Sequence, residues 1–143
     1  MILTSEQIHS ILQKTWPDLQ NIWVTDPLYC VMPYKQLVKA INKCSVTHLD
    51  YTTNYWDCDD FSLQLQARVQ KYQYNLIKDG KLDTKCSYTF GETYGIQTYK
   101  NSDDEVAHAI NICITDKRVL LIEPQSNEIW KVDQYFHPFF VKF

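Results

Sequence analysis

The run WDCDDFSLQLQARVQKYQYNLIKDG, residues 56–80, decides how the chain folds. Within it Cys58, Phe61, Leu65, Val69, Tyr72 and Leu76 recur at intervals of three and four, the spacing that sets them on one face of a helix. That helix starts at Asp57 or Cys58 and closes at Lys78-Asp79-Gly80, because glycine most readily takes the left-handed backbone that follows a last turn. Beyond Gly80 the grain changes. CSYTF at 86–90, TYGIQTY at 93–99, EVAHAINICIT at 105–115 and VLLIEPQ at 119–125 are short β-prone runs separated by turn residues. Upstream, Thr4-Ser5-Glu6-Gln7 reads as a capping box ahead of Ile8, Ile11 and Leu12, and Trp16-Pro17 stops the run. Met32-Pro33-Tyr34 places a proline near the first turn of a second helix, striped by Leu37, Val38 and Ile41 and ending near Asn42-Lys43. Helices followed by an antiparallel sheet make an α+β fold. Residues 1–143 are expected to form one domain, with 1–50 a helical N-terminal part and 51–143 the core.

Composition narrows the function classes. With 45% hydrophobic and 14% aromatic residues, 143 residues fill one real core. Fourteen basic against 17 acidic residues leave a net charge of −3 and no basic stripe, so nucleic acid is not an expected partner. The apolar run Val119-Leu120-Leu121-Ile122 is far too short to cross a bilayer, and MILTSEQIHS lacks the basic flank and apolar core of a signal peptide. A soluble cytoplasmic protein with no membrane partner is expected. The five cysteines, 30, 44, 58, 86 and 113, are odd in number and form no CxxC pair, which suits reduced thiols better than a disulfide framework or a zinc site.

Cys58 opens the long helix among Asp57, Asp59 and Asp60. Its partners depend on the turn Thr115-Asp116-Lys117-Arg118. A two- or four-residue loop pairs Ile114 with Val119, Ile112 with Leu121, Ile110 with Glu123 and His108 with Gln125. His108 and Glu123 then share a face as diagonal neighbours, roughly 5.5–8 Å apart at Cβ. A three-residue loop would send them to opposite faces. In the first register a cysteine at a helix start precedes a histidine and a carboxylate on adjacent strands, the order that a Cys-His-acid triad needs. Cys58 would be the nucleophile, favoured by the helix N-terminus; His108 would share its proton and protonate the leaving group; Glu123 would hold the imidazole in one tautomer. The Cys58 N–H and a side chain from Thr52, Thr53 or Asn54 are candidate oxyanion donors, and Gln125 a further orienting candidate. Against this stands electrostatics: three carboxylates raise the Cys58 pKa, and only a bound cation would reverse the balance. An EF-hand does not supply one, since counting from Asp57 puts Ser62 at the glycine position and Arg68 at the bidentate glutamate.

WDCDDFSLQLQARV, AHAINICI and LLIEPQSNEIW together resemble the papain-like cysteine peptidase superfamily. The nearest branch is the small one typified by the C-terminal domain of fungal chimerolectin agglutinins; bacterial transglutaminase-like cysteine proteinases are similar too. The resemblance runs over about residues 54 to 130. It implies a papain-like fold, with Cys58 as nucleophile, His108 as base and Glu123 as orienting acid. It also implies calcium, with Asp59 and Asp60 matching acidic positions that help to bind it. The expected activity is a cysteine hydrolase that cleaves a peptide or amide bond of a peptide or protein substrate through an acyl-thioester. A catalytically silent papain-like binding or regulatory module, and a side-chain amidase or transglutaminase, are the alternatives. The chain departs from papain in placing Thr52 where a glutamine donor stands. No repeats precede the matching segments, so carbohydrate targeting is not expected.

Overall fold

Phe61, Leu65 and Val69, one side of the helix that the spacing predicts, are each no more than 2% exposed and lie against strands from the second half of the chain. The computed structural model describes residues 1–143. In chain order the elements are β1 (Ile2–Thr4), α1 (Ser5–Thr15), β2 (Asn21–Trp23), β3 (Leu28–Cys30), α2 (Tyr34–Cys44), α3 (Cys58–Lys78), β4 (Ser87–Tyr88), β5 (Phe90–Tyr99), β6 (Ser102–Ile114), β7 (Val119–Glu123), β8 (Glu128–Lys131) and β9 (Phe136–Lys142). The fold is α+β. All three helices lie where their signals put them. Thr4 caps α1, its hydroxyl accepting from the Gln7 N–H at 3.3 Å while the Gln7 side chain accepts from the Thr4 N–H at 2.9 Å. Pro33 precedes α2, and Gly80, at φ +67°, takes the left-handed backbone just beyond α3.

Six strands form the main sheet in the order β2-β9-β5-β6-β7-β8, and β1-β3-β4 form a second. The β6–β7 register pairs Ile114 with Val119 and Ile112 with Leu121, as a four-residue loop requires; the Thr115 N–H donates to the Arg118 carbonyl at 2.9 Å to close it. Both faces of the central strands are covered. Ile110, Ile112 and Leu121 meet Ile8 and Leu12 of α1 on one side, whereas Cys113, Leu120 and Ile122 meet Leu37, Ile41, Phe61 and Leu65 on the other. Burial on both faces explains why INICI and VLLI read as unbroken apolar runs. The aromatic tail is the strand β9, lodged between β2 and β5 with Phe136 fully buried.

Three expectations are corrected. The sheets are mixed rather than antiparallel, because β2 runs parallel to β9 and β3 parallel to β4. Residues 1–50 are not simply helical: they contribute β1, β2 and β3, each three residues long. Three residues show at most one alternation, too little for a periodic signal, and the partners are distant, Asn21 pairing with Phe140. The five thiols are not all reduced, since Cys30 at the end of β3 is bonded to Cys86 just before β4, leaving Cys44, Cys58 and Cys113 free. No helix is long and apolar enough to cross a membrane.

The Cys30–Cys86 bond closes a loop of 56 residues that holds α2 and α3. A loop of that length restricts the unfolded chain by about 4 kcal/mol. Replacing both cysteines by serine is expected to lower the stability by up to that amount, seen as an earlier midpoint in guanidinium unfolding, with a steeper slope because the uncrosslinked unfolded chain exposes more surface.

Candidate functional site

The approach to α3 is a tight turn. Trp56 and Thr52 exchange backbone bonds of 2.7 and 2.8 Å, and Asn54 at φ +61° forms the tip. Asn54 supports the left-handed region better than most side chains because its amide is short and polar. The carboxylates then divide their work. Asp57 accepts the Asn54 N–H at 3.3 Å, and Asp60 reaches back to accept the Asp57 N–H at 3.2 Å, capping the helix. Thr52, Thr53 and Asn54 are exposed, and their side chains make no hydrogen bond within the chain.

Cys58 sits in the first turn, and ligand atoms of Asp57, Cys58 and Asp59 lie within 4.8 Å of one another. Burial pushes the thiol up, and the Asp57 and Asp59 carboxylates push it further; the N–H groups of Ala109 and Asp59 offset only part of this. The proton therefore stays on sulfur at neutral pH. The Asp59 carboxyl is also raised, first because it shares a hydrogen bond with Asp57 and then by burial. A proton or a cation relieves such a pair. The metal expectation named Asp59 and Asp60, but the structure groups Asp59 with Asp57 and commits Asp60 to the cap. Two carboxylates suit a hard cation in charge and donor type, and a thiol does not.

His108 Nε2 lies 2.6 Å from Glu123 Oε2, with both side chains about one-fifth exposed. The other oxygen of Glu123 accepts the Gln125 N–H at 3.1 Å, so Gln125 orients the acid through its backbone. The predicted pair is thus formed. Cys58 makes no hydrogen bond to the pair; its thiol lies by the N–H groups of Asp59 and of Ala109, the residue after His108 in β6. Along β6, His108 alternates with Ile110, Ile112 and Ile114 on the α1 side, while Asn111 reaches the Ser62 carbonyl of α3 at 2.9 Å on the other.

The pair borders a cleft of about 380 Å³ that Cys58 does not line. Trp130 and Tyr99 supply aromatic faces; Gln97, Glu128 and Asp133 supply polar groups at its walls. Near Cys58 the structure adds residues that pattern reading missed. Burial above all, then the Glu92 carboxylate 3.2 Å away, pushes the Tyr94 phenol up, with Asp59 and Cys58 contributing. Glu92 is itself 3% exposed and paired with Lys142 at 3.4 Å. Tyr51, stacked near Phe61, is raised by burial and then by Asp57, Cys58 and Asp59. Nothing local marks Tyr94, because it reaches the site only through its pairing with Ala109 across β5 and β6.

A family model described as Agglutinin C-terminal matches residues 29–129. Two solved structures are similar over 99% of this chain. One is a PSL1a-E64 complex, at 19% identity and a TM-score of 0.77. The other is the Polyporus squamosus lectin bound to a human-type influenza-binding epitope, Neu5Aca2-6Galb1-4GlcNAc, at 18% identity and a TM-score of 0.75. This chain spans about half the length of each, 50% and 49%. No protein with a curated description matches. These findings correct the expectation of a cysteine hydrolase, and with it the protease description and the peptide substrate: the matching family is that of agglutinins, and a structural neighbour is a lectin that holds a glycan. With 29–129 of its 143 residues matched, the chain belongs to the agglutinin C-terminal family.

Proposed function

We propose that the chain is a binding module on a papain-like scaffold, and that its partner is a carbohydrate held in the cleft beside His108 and Glu123. The observation that carries the reading is the make-up of that cleft. Trp130 and Tyr99 offer flat faces on which the C–H side of a sugar ring stacks. Gln97, Glu128 and Asp133 offer donors and acceptors for ring hydroxyls. About 380 Å³ is the size of a pocket for one or two sugar units. Agglutinin membership and the glycan named with the Polyporus lectin support the choice of a sugar. This replaces the expectation that carbohydrate is not a target. Three carboxylates in the lining, Glu123, Glu128 and Asp133, disfavour a negatively charged sugar there, so the partner is a neutral glycan unit.

A glycan array followed by calorimetry tests this. Neutral oligosaccharides are expected to bind wild type, and Tyr99→Ala and Asp133→Asn to weaken them by roughly tenfold, about 1.4 kcal/mol each. Both positions are exposed, so the variants keep the fold. No neutral glycan retained by the folded protein is the result that defeats the reading.

The silent thiol has its own test. Because burial and two carboxylates raise the Cys58 pKa, the thiolate is scarce at pH 7 and grows only in alkaline solution. Iodoacetamide is therefore expected to label Cys58 slowly at neutral pH, faster as pH rises, and at the same rate in His108→Ala. Rapid neutral labelling that depends on His108 contradicts a binding module.

Calcium is proposed for the Asp57–Asp59 pair, whose shared hydrogen bond signals unrelieved charge. A proton competes for the same oxygens, so affinity should fall as the pH drops through the raised Asp59 pKa. At a hundred times its dissociation constant, calcium would add about 2.7 kcal/mol to stability. A calcium-induced rise in melting temperature, lost in Asp59→Asn, is expected in a thermal shift measurement. An unchanged wild-type melting temperature at neutral pH excludes the site.

A further inference from the structure

On the α2 side of the sheet, the turn after β6 and the edge strand β8 enclose a second cavity of about 260 Å³. Its walls are Tyr34, Leu120, Ile129 and Trp130, and Lys117, Arg118 and Lys131 converge on it with no carboxylate in the lining. That is unexpected in a chain of net charge −3. The three cations are also unsatisfied. Ion pairs in the chain join Lys81 to Asp79, His108 to Glu123 and Lys142 to Glu92, so none of them neutralises this cavity. The turn is built to leave it so. Its one acid, Asp116, accepts the Tyr34 N–H at the start of α2 at 2.9 Å. The Thr115 hydroxyl accepts the Lys117 and Arg118 N–H groups at 3.3 and 3.2 Å, which fixes the backbone that carries both basic side chains. Lys117 Nζ rests 5.9 Å from the Tyr34 ring centroid, beside the cavity and not across the surface.

Cations held around an apolar and aromatic pocket select a ligand that has both a negative group and an apolar face. We infer that this cavity is a second binding site, for a sugar unit that carries a carboxylate or a sulfate ester. The acid group pairs with Arg118 and Lys131, and the ring lies against Tyr34, Leu120 and Ile129. The choice of a sugar rests on the carbohydrate reading above; the charge preference rests on this cavity alone. The two sites are complementary in sign. The cleft on the α1 side is lined by three carboxylates and the cavity on the α2 side by three cations, with Trp130 of the edge strand bordering both.

Ligand-observed nuclear magnetic resonance with glucuronic acid, glucose 6-sulfate, glucose and inorganic sulfate tests the site on the full chain. Both sugar acids are expected to bind, more weakly as salt is raised, and Arg118→Gln and Lys131→Gln are each expected to weaken them by roughly tenfold. These side chains are exposed and unpaired, so the substitutions leave the fold intact, which circular dichroism confirms. Tyr99→Ala, which disables the cleft on the other face, should leave sugar-acid binding unchanged, so the failure of one site is told from the failure of the other. Absence of sugar-acid binding, inorganic sulfate binding as tightly as glucose 6-sulfate, or indifference to both substitutions would overturn the inference.

Discussion

The buried amide of Asn111 joins the long helix to the sheet. Its Nδ2 donates to the Ser62 carbonyl at 2.9 Å and to the Gly91 carbonyl at 3.1 Å, and the Ser62 hydroxyl returns a bond of 3.0 Å to the Ile110 carbonyl. Asn111 and Ser62 are fully buried, so each bond is made in a low dielectric where losing its partner costs the whole desolvation of the group. Hydrophobic packing is non-directional and would let α3 slide along β6. The polar ties fix its position, and with it the place of Cys58 beside Ala109 of β6.

From that junction the two faces of the sheet take different roles. On the α1 side the strand alternation carries His108 and Glu123 to the rim of the core, where a short ion pair and the Gln125 amide hold them in an acidic, aromatic cleft. On the α2 side the same strands end in a basic turn over an apolar floor. Cys58 belongs to neither. Its neighbours are carboxylates and backbone N–H groups, and its thiol is held protonated. A cysteine, a histidine and an acid in sequence along the chain are compatible with a scaffold that binds, because a triad is defined by the geometry of its groups and not by their order.

Periodic and capped features were legible because they are local. The capping box at Thr4, the proline before α2 and the glycine after α3 each act within a few residues, and the β6–β7 register follows once the loop is known to hold four residues. The family resemblance of the agglutinin type was also carried by local strings around Cys58, His108 and Glu123. What escaped was long-range. The three short N-terminal strands pair with partners that only the folded chain brings near, and the Cys30–Cys86 bond joins residues whose separation of 56 contains no pattern. Tyr94 and Glu92 reach the Cys58 region by a pairing of β5 with β6 that no turn motif specifies.

By itself, then, the amino-acid order determined the helices, because each depends on periodicity and caps, and it narrowed the central hairpin to registers of which one brings His108 to Glu123. Only the tertiary structure decided which groups meet across the sheet: that Asp60 caps the helix while Asp57 and Asp59 share charge, that Cys58 lies by the N–H groups of Ala109 and Asp59, and that Lys117, Arg118 and Lys131 surround one cavity. These are matters of distance and dielectric, which the linear chain does not contain until its strands are placed side by side.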